Sequence, residues 1–144
     1  MRGFTLVEVM IVLVILAVLG AMAYPTYAGY IRKTRRIEAQ LVLVEAMQQE
    51  EHHFTLHRRY KAFSALDGSG GPFRWWSGST AAASAYEIDA YPCPNSTLAA
   101  CIVLRARPGT DRVDGRFRDP ECETLTLDSA GRQTSSGTLD RCWP

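Results

Sequence analysis

No catalytic constellation can be read in this chain of 144 residues. There is no nucleophile-elbow pattern, no phosphate-cradling glycine loop and no H-E-x-x-H pair on a helix. An enzyme reading would rest on isolated His and Asp residues, so none is expected, and no cofactor is implied. The four cysteines contain no C-x₂-C pair, which removes the usual spacing of a structural zinc site. No internal repeat and no long low-complexity tract are present, which excludes repeat architectures. Neither sign of charge is in excess: 16 Lys and Arg face 15 Asp and Glu, for a net charge of +1. By region, residues 28–63 hold seven basic and four acidic side chains, and residues 74–144 hold eight Arg and nine acids. Composition therefore does not announce a polyanionic partner. Charge is scarcest near the start, where Val9 to Tyr24 carries none.

That gap is part of an apolar run from Phe4 to Tyr24, 21 residues long. At ~1.5 Å per residue a helix of this length spans about 31 Å, close to the roughly 30 Å hydrocarbon core of a bilayer. A soluble core helix of this length would keep one polar face; this run has none, so residues 4–24 are expected to insert in a membrane. Glu8 is the only charge in the run. An ionised group at the centre of such a helix costs about 2.5–3.5 kcal/mol and usually has a function. Near one end it costs less, so Glu8 either reaches the interface or waits for a positive partner. Ala21-Met22-Ala23 also has the form of a secretory cleavage site. Glu8 and a basic start of Arg2 alone argue against that alternative.

Gly3-Phe4-Thr5-Leu6-Val7-Glu8 followed by the apolar run resembles the class III signal of type IV prepilins and pseudopilins. The resemblance implies that residues 1–3 are a leader and that a prepilin peptidase cuts between Gly3 and Phe4, leaving Phe4 N-methylated. It also implies that Glu8 attracts the terminal amine of a neighbouring subunit during assembly. Opposite charges in a low-dielectric setting attract strongly, so the expensive carboxylate gains a partner.

Topology carries a conflict. Arg32, Lys33, Arg35 and Arg36 follow the span, and only Arg2 precedes it, which by the positive-inside rule places the C-terminal side in the cytoplasm. Cys93, Cys101, Cys122 and Cys142 form an even set in a loop-rich region, which favours an oxidising compartment. The resemblance places this part in the periplasm, and the cysteines and the motif decide for that side. The expectation is a single inner-membrane pass before assembly, then an extracellular fibre of a Gram-negative-type bacterium.

Beyond the span, Pro25 removes a backbone hydrogen bond and is expected to kink the helix, which membrane helices tolerate. From Thr34 to about Leu56, apolar residues recur at Ile37, Leu41 and Val44 and at Leu43, Met47 and Phe54, a helix face. Arg36, Glu38, Glu45 and Gln49 fall on the other face. Asp67-Gly68-Ser69-Gly70-Gly71-Pro72 is turn chemistry within a loop over 64–84. Strands are expected at 85–91, 102–107, 123–127 and 131–135. One helix followed by strands gives an α+β class: a small antiparallel sheet packed on the second half of a long helix. Residues 25–144 then form one head, with no further domain boundary.

Cys122 to Leu127, Gly131-Arg132, Cys142-Trp143 and Arg58-Arg59-Tyr60 resemble PilE-type minor pilins. Four cysteines allow three pairings, of which Cys93–Cys101 with Cys122–Cys142 is favoured. His53 and His57 are four apart and share a helix face, but no third ligand stands at suitable spacing beyond nearby Glu residues, so a solvated helix end and no metal are expected. Arg105, Arg107, Arg112, Arg116 and Arg118 form a loose basic group interleaved with Asp111, Asp114, Asp119 and Glu121. Phosphate binding needs clustered cations, so the mixed group reads as a hydrated loop. Some minor pilins that resemble this chain act as DNA receptors, which makes Arg112, Arg116 and Arg118 candidate DNA contacts.

The resulting expectation is a minor pilin that is incorporated into a type IV pilus or primes its assembly, serving adhesion, twitching motility and DNA uptake. Its partners would be other pilin subunits, the prepilin peptidase and the inner-membrane assembly machinery. The alternatives are a competence-type DNA receptor, a type II secretion pseudopilin and a major pilin.

Overall fold

The computed structural model describes residues 4–67 and 71–144. Gly3, and the Gly68–Gly70 part of the expected turn, lie outside the described residues. Two compact units divide the chain, the first ending at Lys33 and the second running from Thr34 to Pro144.

Thr5 begins the first unit's helical structure. Its hydroxyl accepts the Glu8 N–H at 3.3 Å, making Thr5 the N-cap of α1 (Leu6–His57). The cap satisfies one of the N–H groups a helix start leaves unpaired. Beyond it Leu6, Met10, Leu13 and Leu19 are all more than half exposed, so the first unit offers its apolar side chains to surroundings other than its own chain. By length and composition α1 contains a stretch able to cross a membrane. Pro25 lies within the helical run, and its side chain is outside the description.

In the second unit, four strands follow the remaining part of α1. They are β1 (Tyr86–Pro92), β2 (Ile102–Pro108), β3 (Leu125–Asp128) and β4 (Gln133–Ser135). They form one antiparallel sheet in the order β1-β2-β3-β4, each strand within two residues of its expected bounds. Alternation sets the faces: Ile88, Ala90, Ile102, Leu104, Ala106, Leu125 and Leu127 join Ala39, Val42, Leu43 and Ala46 of α1 in a single core. Each fully buried Leu or Ile there contributes about 1.5–3 kcal/mol. The free edge of β1 is covered by its own loop: Phe63 and Trp76 bridge to Ala90 and Glu87, and the Ile88 N–H donates to the Trp75 carbonyl at 2.7 Å. A covered edge cannot pair with a foreign strand. After β2, Gly109 has φ +59°, and a Cβ there would lie 2.1 Å from the Phe117 carbonyl oxygen, so the turn admits only glycine.

The packed face of α1 departs from the expected one. Ile37, Leu41 and Val44 are 44%, 65% and 39% exposed, whereas Arg36, Gln40 and Glu50 are buried beside Ala39, Leu43 and Ala46. Leu43 is buried as expected, and Met47 and Phe54 pack against the core. The correction has a physical cause. A polar side chain is buried at little cost when a partner is built for it: Arg36 and Gln40 meet partners far along the chain that helical periodicity cannot show, while Glu50 is bonded through one oxygen only, to the Lys61 N–H.

Candidate functional site

At the start of α1, Phe4 and Glu8 line one groove with Val9, Val12 and Leu13. Phe4 precedes the Thr5 cap, just before α1 begins. Glu8 occupies the first turn, where the positive end of the helix dipole favours a carboxylate. The T-x-x-E spacing of Thr5 and Glu8 is a capping signature legible in the sequence, and it gives Glu8 a local role that the apolar pattern alone does not reveal.

The second unit is clasped at the end where α1 enters it. The Arg36 guanidinium donates to both Asp119 carboxylate oxygens, at 2.8 Å from Nε and 2.6 Å from NH2, and to Glu121 at 2.9 Å. The Tyr86 hydroxyl donates to Asp119, as does the Cys122 N–H. The hydrogen bonds and charge of Asp119 push Arg36 further up and outweigh its burial. Burial pulls Asp119 upward, but its bonds to Arg36 and Tyr86 overcome this and hold it below the ordinary carboxylate value. Burial and Asp119 together raise Tyr86. Next to this clasp Cys122 and Cys142 are bonded, and away from it so are Cys93 and Cys101; both expected pairs form. The Gln40 amide donates to the Cys142 carbonyl, so two polar residues of α1 hold both ends of the C-terminal disulfide loop. Gly137 lets the tail cross Cys122, since a Cβ there would fall 2.2 Å from the Glu121 carbonyl oxygen.

The loose arginine group separates into two. Arg105 and Arg107 lie in β2 on the sheet face away from the core, opposite Asp89 and Glu87 of β1. Arg105 meets Asp89 at 2.8 Å, and Arg107 meets Glu87 at 2.8 Å and Asp89 at 3.1 Å; Arg105 also lies over the Tyr91 ring. These four charges neutralise one another. Arg112, Arg116 and Arg118 are exposed on the connection between β2 and β3. Arg118 donates through one nitrogen to the carbonyls of Gly115 and Phe117, at 2.7 Å each, and of Gly109 at 3.4 Å, so it organises the loop. For Arg112 and Arg116 only the backbone N–H groups are engaged, by Thr110 and Asp114; their side chains meet no partner among the described residues.

The opposite end of the unit gathers the last turn of α1, the Cys93–Cys101 loop and the turn between β3 and β4. Arg58 takes φ +58°, a left-handed ending rarely adopted by a non-glycine residue, and the chain reverses so that the Tyr60 N–H reaches the Leu98 carbonyl at 2.8 Å. Glu50 lies fully buried beneath this reversal. One of its oxygens accepts the Lys61 N–H at 2.9 Å, and the other has no partner. Burial pushes its pKa up to about 7 against the opposing bond and charge of Lys61. Among the described residues no three His, Cys, Asp or Glu side chains gather in a metal-holding group.

Residues 1–24 match the family described as prokaryotic N-terminal methylation motif, and residues 25–126 match the family described as type IV minor pilin ComP, DNA uptake sequence receptor. Two solved structures are similar. One is a type IV pilin from Shewanella oneidensis, 25% identical with a TM-score of 0.49, over 78% of this chain and 98% of that one. The other is the non-core minor pilin PilV of Neisseria meningitidis, 18% identical with a TM-score of 0.48, over 78% of this chain and 94% of that one. No curated relative matches the chain. With its methylation motif, its helix-and-sheet head and a family match across most of its length, the chain belongs to the type IV minor pilin family of the DNA uptake sequence receptor ComP and is a structural subunit of the pilus.

Proposed function

We propose that this minor pilin is a DNA-binding subunit of the fibre. Before assembly it sits in the inner membrane of a Gram-negative-type bacterium with its head in the periplasm. A prepilin peptidase cuts between Gly3 and Phe4 and methylates Phe4, and the inner-membrane machinery adds the subunit to its neighbours, its own copies or other pilins. The observation that carries DNA binding is the match of residues 25–126 to a DNA uptake sequence receptor family. Arg112 and Arg116 are the side chains best suited to phosphates, being exposed and unpaired on one loop. Arg118 serves that loop's backbone, and Arg105 and Arg107 are neutralised.

The test is a band shift of the full-length protein in detergent with duplex DNA over a series of salt concentrations. Binding is expected to weaken as salt rises, because each phosphate contact releases a counterion. Arg112→Ala with Arg116→Ala should flatten the log–log salt slope by about 2, at roughly 0.9 per lost contact. A shift that is absent, or insensitive to salt, ends the proposal; a shift unchanged in the double variant moves the contact elsewhere on the head.

Assembly is proposed to use Glu8 as the partner of a neighbouring subunit's N-methylated amine. Glu8→Ala should leave the protein in the membrane, because it removes the costly carboxylate, and should deplete it from sheared fibres. Immunoblots of the membrane and fibre fractions read both effects. Wild-type abundance in the fibres would reduce Glu8 to its role in the first turn of the helix.

A further inference from the structure

We propose that Tyr27, Tyr30, Arg32 and Lys33 form a collar that binds the phosphate headgroups of anionic lipid, on the side of the bilayer that faces the head. The collar rests on the reading of residues 4–24 as a membrane span. A division among four cations carries it. Arg32, Lys33, Arg35 and Arg36 follow the apolar run, and no Asp or Glu stands between Glu8 and Glu38. Arg36 is engaged by Asp119 at 2.6 Å and Glu121 at 2.9 Å, and Arg35 meets Glu38 at 3.0 Å. Arg32 and Lys33 form no ion pair among the described residues. Lys33 is exposed and Arg32 half-buried. The Arg32 Nε is shielded and unpartnered, which leaves the terminal nitrogens as its available donors.

The arrangement around the helix identifies the occupant. At about 100° per residue, Tyr27, Tyr30, Arg32 and Lys33 are spread around α1 with no gap wider than about 140°. A protein partner takes one face of a helix, whereas a layer of headgroups surrounds it. The heights agree. Arg32 and Lys33 stand eight and nine residues beyond Tyr24, about 12–14 Å along the axis. The headgroup layer on each side of the bilayer is roughly 5–8 Å deep. Helical side chains tilt toward the N-terminus, so both cations lean back toward the bilayer, and their length lets the charged ends reach its surface. Tyr27 and Tyr30 lie between the apolar run and the cations, 65% and 69% exposed. Amphipathic rings settle at that level of a membrane.

Phosphate is the group these donors fit. A guanidinium can grip two of its oxygens, and an ammonium meets it as a point charge. Anionic lipid adds a surface potential that favours each nearby cation by about fivefold. The collar thereby sets the depth of the helix before assembly, and it must be released when the subunit leaves for the fibre.

The test uses the full-length protein in vesicles of phosphatidylglycerol and phosphatidylcholine. The chain has two lysines, Lys33 and Lys61, so lysine labelled with ¹⁵N at Nζ gives two ammonium signals, which Lys33→Gln assigns. Dipolar dephasing by ³¹P should attenuate the Lys33 signal and leave Lys61 unchanged. Protein released from equal mixtures should retain phosphatidylglycerol over phosphatidylcholine by about fivefold per cation. Arg32→Gln with Lys33→Gln should abolish that preference. Equal retention of the two lipids by the wild type overturns the collar. Amide exchange over residues 9–22, read in the same vesicles, separates the two readings. Protected amides with an undephased Lys33 overturn the collar alone, whereas unprotected amides overturn the spanning helix on which it rests. An undephased Lys33, with the double variant depleted from sheared fibres, assigns both cations to a neighbouring subunit and likewise overturns the collar.

Discussion

Replacing Arg36 with methionine is expected to destabilise the head by about 3–5 kcal/mol, the range for removing one partner of a buried ion pair. The Asp119 side chain is fully buried and the Arg36 side chain is 8% exposed. Methionine fills much of the arginine stem's space but leaves the Asp119 carboxylate with only the Tyr86 hydroxyl and the Cys122 N–H. All three tryptophans, Trp75, Trp76 and Trp143, belong to the second unit, so their fluorescence during urea unfolding of the full-length protein reports the head. At a typical slope of 1–3 kcal/mol per molar urea, the midpoint should fall by roughly 2 M. Adding Asp119→Asn to Arg36→Met should restore part of the loss, because a neutral amide needs no counter-charge. A loss under about 1 kcal/mol would mean that the clasp behaves as a surface pair.

The pH dependence provides a second check. Asp119 is held below its ordinary value of 3.8, so its stabilisation is present above that value and is lost as pH falls through the lower folded value. The acid limb of the wild-type stability curve should therefore shrink in Arg36→Met, where the main cause of the depression is gone.

The legible parts of the fold were those encoded by local pattern. Val, Ile and Leu are the residue types that favour strands at β2 and β3, and Asp, Ser and Gly between Asp128 and Gly131 are turn chemistry. The turn is closed by Asp128 accepting from the Ala130 and Arg132 N–H groups. The apolar run and the G-F-T-L-V-E motif needed no structure at all. What the sequence hid is the inner face of α1. Arg36 and Asp119 are 83 positions apart, and Gln40 and Cys142 are 102 apart, so Arg36 and Asp119 read as solvated charges and nothing in the sequence marked Gln40 as buried. The same blindness placed Ile37, Leu41 and Val44 in the core. For the candidate DNA contacts, charge counting grouped five arginines that the fold assigns to three tasks: sheet-face pairing for Arg105 and Arg107, loop organisation for Arg118, and free exposure for Arg112 and Arg116.

Glu50→Gln should make the head more stable at pH 8 and remove a pH dependence that the wild type carries between about pH 4.5 and 7. The sign follows from proton binding. Glu50 has an ordinary value of 4.5 and a folded value of about 7. Below 4.5 the carboxyl is protonated in both states and contributes nothing. Between the two values the unfolded chain gives up its proton first, so the folded state holds more protons and stability falls as pH rises. Above about 7 the full penalty applies, about 3 kcal/mol at roughly 1.4 kcal/mol per pKa unit. Lys61 and Glu51 are the charged neighbours that act on Glu50, one lowering and one raising it; Tyr60 stands beside them, its hydroxyl donating to Glu51 at 2.9 Å. Glutamine keeps an oxygen for the Lys61 N–H and has no charge to bury. Its amide nitrogen takes the place of the unpartnered oxygen and costs about 1–3 kcal/mol if it too stays unpaired, so the gain at pH 8 should be about 1 kcal/mol. The decisive quantity is the difference in unfolding free energy between wild type and Glu50→Gln at pH 5 and at pH 8. It should shift by about 2–3 kcal/mol in favour of the variant as pH rises. A difference that stays constant across that window would mean that Glu50 is ionised throughout, and that water or a local opening near Lys61 supplies its second oxygen with a partner.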